Sequence, residues 1–200
     1  MVLGARSEDR LRELAAELGG DEVAVPRRCD VTSFDDQEAL VREGVERFGA
    51  LDAFFANAGF GAARGFLKET PEHWRSMVET NVLGAAFSIR AALRRFREQD
   101  SGHMVLTSSV AGRRTLPGSL YSATKWAVTA MGEALRTEVA DSPIKVTLVE
   151  PGQVDTPFFD NRPTGALTAD DVAGTVIFAL SQPPHVDLNE ILVRPINQSA

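Results

Sequence analysis

The chain has 200 residues, 44% of them hydrophobic and 24% charged, a composition expected of one soluble globular domain spanning 1–200. A formal charge of -7 argues against nucleic acid and anionic membrane as partners. The single cysteine, Cys29, cannot close an internal disulfide, and the three histidines at 73, 103 and 185 are scattered, so no metal site is expected. No apolar run nears the ~20 residues of a membrane span and no signal segment opens the chain, which points to a cytoplasmic protein. The sequon Asn197-Gln198-Ser199 is then a chance match.

In chain order, Met1 to Leu3 reads as a strand closed by Gly4-Ala5-Arg6. Ser7 can cap a helix with Leu11, Leu14, Ala15 and Leu18 at a 3.6-residue period, stopped by Gly19-Gly20. A second strand begins at Val23 and runs through Arg28 to Cys29-Asp30. Thr32 or Ser33 then caps a helix bearing Leu40, Val41, Val45 and Phe48. Leu51 to Ala56 is a continuous apolar run, as for a strand buried on both faces, and it ends in Asn57-Ala58-Gly59. Pro71 to Glu98 reads as one long helix. Met104 to Thr107 is a strand, Tyr121 to Val139 a helix, and Val146 to Val149 a strand ending in Glu150-Pro151-Gly152. Thr168 caps a helix to Leu180, and Glu190 to Val193 is the last strand. Strands alternating with helices of this length predict βαβ units in an α/β, doubly wound, mostly parallel sheet.

The stretch from Leu106 to Lys125 carries the chemistry. A buried strand ends in Ser108-Ser109, a Gly/Pro loop follows, and a helix then presents Tyr121 and Lys125 one turn apart. A phenol's ordinary pKa is about 10, and a neighbouring cation favours the phenolate, so the pair is suited to acid/base work. In open α/β sheets ligands bind at the carboxyl ends of the strands. Those ends here carry Arg6, Asp30, Asn57 to Gly59, Ser108-Ser109 and Pro151-Gly152.

The ordered motifs CDVT (29–32), NAG (57–59), NVLG (81–84), SSVAG (108–112), YSATK (121–125) and PGQVDT (151–156) resemble the main branch of the short-chain dehydrogenase/reductase family, from Val2 to about Pro195. The resemblance implies a three-layer Rossmann-like fold and hydride transfer between a nicotinamide cofactor and a carbonyl/alcohol carbon. It makes Tyr121 the general acid/base and Lys125 the group that lowers its pKa and holds the nicotinamide ribose. Ser109, with Ser108 as the fallback, would hydrogen-bond the substrate oxygen. Asn81 would anchor a water in the proton relay. It assigns Asp30 to the adenine, and Asn57, Ala58 and Gly59 to the floor beneath the adenosine. Pro151, Gly152, Val154 and Thr156 would bind at the nicotinamide end, the last two clamping its amide. Arg6 stands where an acid would select a ribose 2′-hydroxyl and an arginine suits a 2′-phosphate, so NADP(H) is expected over NAD(H). A homodimer or homotetramer is the family expectation, and a small carbonyl or alcohol compound the expected substrate.

Family members open with a further strand and a TGxxxGxG turn, and this sequence lacks both. The expectation is therefore a sheet without its first βα unit, with a slot of about 10 Å between the flanking strands. A start assigned too late, a fragment, or a short variant would each explain it, the intact motifs favouring the first. The rival to an oxidoreductase is a catalytically incomplete chain that serves as a binding or oligomerisation module. The loop Pro157 to Leu167, holding Phe158, Phe159 and Arg162, is expected to cover the substrate.

Overall fold

The computed structural model describes residues 1–159 and 161–198; Asp160 of the covering loop and Ser199 of the sequon lie outside them. The chain order is β1 (Val2–Ala5), α1 (Glu8–Glu17), β2 (Val25–Arg28), α2 (Phe34–Phe48), β3 (Ala53–Ala56), α3 (Pro71–Val78), a π-helical turn (Glu79–Leu83) and α4 (Gly84–Gln99). Then come β4 (Gly102–Thr107), a 3₁₀ turn (Val110–Gly112), α5 (Leu120–Glu138), β5 (Ile144–Pro151), α6 (Ala169–Leu180) and β6 (Glu190–Val193). Every strand pairing is parallel, with Val2 opposite Val25, Phe54 opposite Met104, Met104 opposite Val146 and Leu148 opposite Glu190. The expected α/β architecture is present.

The sheet comes in two blocks, β1-β2 and β3-β4-β5-β6, with no pairing between β1 and β3 among the described residues. That seam falls where the sequence predicts a missing strand. It corrects the reading of Leu51 to Ala56 as a strand buried on both faces. Only Ala53 to Ala56 is strand, it lies at the edge of its block, and Phe55 is 42% exposed. Leu14 of α1 and Leu18, which follows the helix, are exposed, while Leu11 and Ala15 are buried.

The larger core lies on one face of β3 to β5. Met104, Leu106, Val146 and Leu148 pack there against Ala92 and Phe96 of α4, Val128 and Leu135 of α5, and Val139 just after it. Alternation sends Val105 and Val149 to the opposite face, against Val172 and Val176 of α6. Leu135 thus belongs to the core and Met131 packs beside it, whereas Trp126 is exposed.

Local chemistry fixes several element ends. Ser33 rather than Thr32 caps α2, accepting from the Asp36 amide, and Thr168 with Asp171 forms a full capping box on α6. Ser7 occupies the cap position of α1 without a side-chain bond. The helix expected over 71–98 is interrupted at Glu79–Leu83, where the π-helical turn swings Asn81 inward. An inserted turn of this kind is often found at a functional site. No helix among the described residues is long and apolar enough to cross a membrane.

Candidate active site

The carboxyl ends of β3, β4 and β5 converge on a cavity of about 500 Å³, lined by Asn57, Gly59, Ser109, Tyr121, Lys125 and Pro151 among others. Each is placed by a local cause. Ser109 caps the short turn after β4: its Oγ accepts from the Ala111 amide at 3.1 Å and donates to the Pro151 carbonyl at 3.4 Å. Ser119, two residues before Tyr121, caps α5 by accepting from the Ser122 amide. One turn later Lys125 is buried on the same side, its Nζ donating to the Thr107 carbonyl at 2.7 Å and standing 5.8 Å from the centre of the Tyr121 ring. Thr107 Oγ1 in turn donates to Asn57 Oδ1 at 2.8 Å, tying the ends of β3 and β4 together.

Asn81, buried, lies behind the cavity wall. Its Oδ1 accepts from the Phe60 amide at 3.0 Å, and its Nδ2 donates to the Phe60 carbonyl at 2.9 Å and to Thr124 Oγ1 at 3.1 Å. The side chain therefore pins the loop after β3 to α5. Space at Gly59 is tight, because a Cβ would stand 3.1 Å from Asn81 Oδ1, with Lys125 Nζ at an ordinary 3.6 Å.

Two of the serine readings separate. Ser108 Oγ turns into the protein, donating to the Lys125 carbonyl at 3.1 Å and bonding Thr129 Oγ1 at 2.8 Å. Ser109 faces Tyr121, whose phenol it acts to lower in pKa. The expected depression by Lys125 is not what the structure gives: desolvation dominates and pushes Tyr121 up to about 12. Burial likewise pushes Lys125 down to about 8. The ammonium donates to the Thr107 carbonyl.

Val154 and Thr156 line the cavity's rim, where Val154 pairs with Leu167 and the Thr156 amide donates to the Val154 carbonyl at 2.9 Å. Phe158 stands 5.8 Å from Tyr121 and 5.2 Å from Phe159, centre to centre, so the described part of the covering loop closes over the tyrosine. Gly152 also lines the cavity, whereas Arg6, Asp30 and Ala58 do not. Arg6 and Asp30 sit at the ends of the β1-β2 block, across the seam. The Asp30 carboxylate accepts from the Thr32 amide at 3.0 Å and the Thr32 hydroxyl at 2.8 Å, bonds that hold its pKa below the usual carboxylate range.

The family model described as short chain dehydrogenase matches residues 1–166. The chain belongs to the short-chain dehydrogenase family. By that membership it is an oxidoreductase. An uncharacterized oxidoreductase of Staphylococcus haemolyticus is 38% identical over 200 residues, covering 98% of this chain and 86% of the relative. Among solved structures, serine dehydrogenase from Escherichia coli is 30% identical with a TM-score of 0.89, covering 100% of this chain and 88% of its own. An alcohol dehydrogenase from the archaeon Thermococcus sibiricus, complexed with 5-hydroxy-NADP, is 29% identical with a TM-score of 0.87, covering 100% of this chain and 87% of its own.

Several site residues were not legible in advance. Thr107 and Thr124 carry no sequence signal, since threonine is common in strands and helices alike.

Proposed function

We propose that the protein is an NADP(H)-dependent oxidoreductase that moves hydride between the nicotinamide and a carbonyl/alcohol carbon of a small compound, here followed as carbonyl reduction, with Tyr121 as general acid/base. The observation that carries this reading is the convergence of Ser109, Tyr121 and Lys125 on one cavity at the carboxyl ends of the strands. The nicotinamide end of such a cofactor fits the residues present. Lys125 is 4% exposed and its ammonium has the Thr107 carbonyl as acceptor, which leaves donors for ribose hydroxyls. Gly59 keeps the floor clear, and Pro151, Gly152, Val154 and Thr156 supply the opposite wall. When bound, the nicotinamide supplies the hydride.

The remaining work falls to the chain's own side chains. Ser109 donates its hydroxyl hydrogen to the substrate oxygen, and Tyr121 gives its phenolic proton to the same oxygen as negative charge develops there. A phenol held near 12 is protonated at neutral pH, the state a proton donor requires. Lys125, charged below about 8, holds the cofactor ribose through the donors its bond to Thr107 leaves over. Asn81 keeps the loop at Gly59 fixed against α5, its side-chain donors committed to Phe60 and Thr124. Phe158 and Phe159 favour an apolar group on the substrate. Asn57 and Ala58 would lie under the adenosine, Asp30 against the adenine, and Arg6 on a 2′-phosphate. The NADP complex of the archaeal alcohol dehydrogenase supports the same cofactor choice. An assembly of two or four copies is carried by the family membership alone.

The test is NADPH titrated into the protein, followed by turnover of a panel of aldehydes and ketones. Tyr121→Phe is expected to abolish turnover while leaving NADPH binding in place; unchanged turnover in that variant ends the reading. Binding without turnover by the unmodified chain would favour the non-catalytic alternative. Arg6→Glu is expected to shift preference toward NADH, and a variant that keeps its NADPH preference removes Arg6 from the cofactor site.

A further inference from the structure

On the reductase reading just given, we propose that Glu150 and Arg113 form a buried clamp that holds Ser109 in register with Tyr121. Neither residue lines the cavity, so both act as positioning residues. Glu150 has no exposed surface. A carboxylate in that position is costly unless it is paired and hydrogen-bonded. It is held by Arg113 Nε, at 2.9 Å to one oxygen and 3.1 Å to the other, and by Thr129 Oγ1 at 3.2 Å. Arg113 continues outward to Glu190 on β6.

What matters is where these partners sit in the chain. Arg113 directly follows the Val110–Gly112 turn that Ser109 caps. Thr129 lies one turn beyond Lys125 on α5. Glu150 immediately precedes Pro151, whose carbonyl accepts the Ser109 hydroxyl. One carboxylate thus joins the serine loop, the Tyr-Lys helix and the wall opposite. Ser108 repeats the link by bonding both Thr129 Oγ1 and the Lys125 carbonyl. Gly112 shows how tightly the turn is pressed to the helix: a Cβ there would come within 2.5 Å of Ser108 Oγ and 2.8 Å of both the Lys125 carbonyl and Thr129 Oγ1.

A three-residue 3₁₀ turn has little stability of its own, so its position must be imposed from outside. A buried ion pair is a weak source of net stability, and fixing one geometry is the use for which such groups are best suited. The reaction is sensitive to that geometry, since an ångström of misplacement can cost on the order of 100-fold in rate.

The experiment compares the unmodified protein with Glu150→Gln, Arg113→Lys, Ser109→Ala and the Glu150→Gln/Ser109→Ala double variant. Rates are read with NADPH and a panel of alkyl and aryl ketones. Glu150→Gln and Arg113→Lys should lower kcat about 10- to 100-fold and leave the NADPH Kd within about two-fold. The double variant should be no slower than Ser109→Ala alone, because the clamp acts through that serine. Singles whose losses multiply in the double variant, or whose losses lie in NADPH affinity, would overturn the clamp. Arg113→Lys keeps the charge at a partly exposed position, so it covers the case in which Glu150→Gln does not fold. A second readout needs no turnover. Tyr121 is the only tyrosine, so tyrosine labelled at the ring Cζ gives one resonance. Its shift in Arg113→Lys should move the same way as in Ser109→Ala, and an unmoved resonance overturns the proposal. An unmodified protein that reduces none of the ketones would remove the reductase reading and leave the resonance to decide the clamp.

Discussion

Replacing Asn81 by alanine tests how the site is held together. The side chain is 1% exposed and makes three hydrogen bonds, two to the backbone of Phe60 and one to Thr124. A buried polar group stripped of its partner costs about 1–3 kcal/mol. Phe60 is only partly buried, so water can reach its amide and carbonyl and the low end applies to each. The Thr124 hydroxyl still donates to the Tyr121 carbonyl at 2.8 Å, so its loss is smaller. Adding the small void left by the truncation gives about 3 kcal/mol in all. For a chain of this size that corresponds to roughly 6–12 °C in Tm. Urea unfolding of Asn81→Ala beside Thr124→Val is the assay, since the second variant removes only one of the three bonds from Asn81. NADPH affinity should fall in Asn81→Ala as the loop at Gly59 loosens. A loss no larger than that of Thr124→Val would refute the idea that Asn81 pins the loop after β3.

Two further predictions concern protons. Burial pushes His103 down to about 4, and the charge of Lys145 acts in the same direction. An unfolded His takes up its proton near 6.5, so the unfolded state binds more protons between those values. Stability should therefore fall as pH drops from 6.5 toward 4, by at most about 3 kcal/mol. Asp187, pushed up by burial, opposes this near the acid end. Urea midpoints above and below pH 6.5 check it, and His103→Gln should flatten the slope. At the site, the Lys125 ammonium is lost as pH rises through about 8. NADPH affinity should weaken across that pH in the unmodified protein and not in Lys125→Met, as read by nucleotide fluorescence.

The sequence by itself determined the alternation of strands and helices, because period-2 and period-3.6 patterns report which face of each element meets the core. It also placed Ser109, Tyr121, Lys125 and Asn57 to Gly59 at strand ends or one helical turn apart, relations set by local geometry. The cap at Thr168 was legible for the same reason. What tertiary structure decided depends on neighbours distant in the chain. Phe55 looks like core in sequence, yet it is exposed because β3 ends a block of sheet. The tyrosine's pKa followed desolvation by surrounding elements rather than the nearby lysine. Asn81 points inward because a π-helical turn rotates it, and no residue pattern announced that turn. Glu150 found Arg113, 37 residues away in sequence, only once β5 lay beside the serine loop. Local spacing names the groups; packing sets their environment, and environment sets charge and reach.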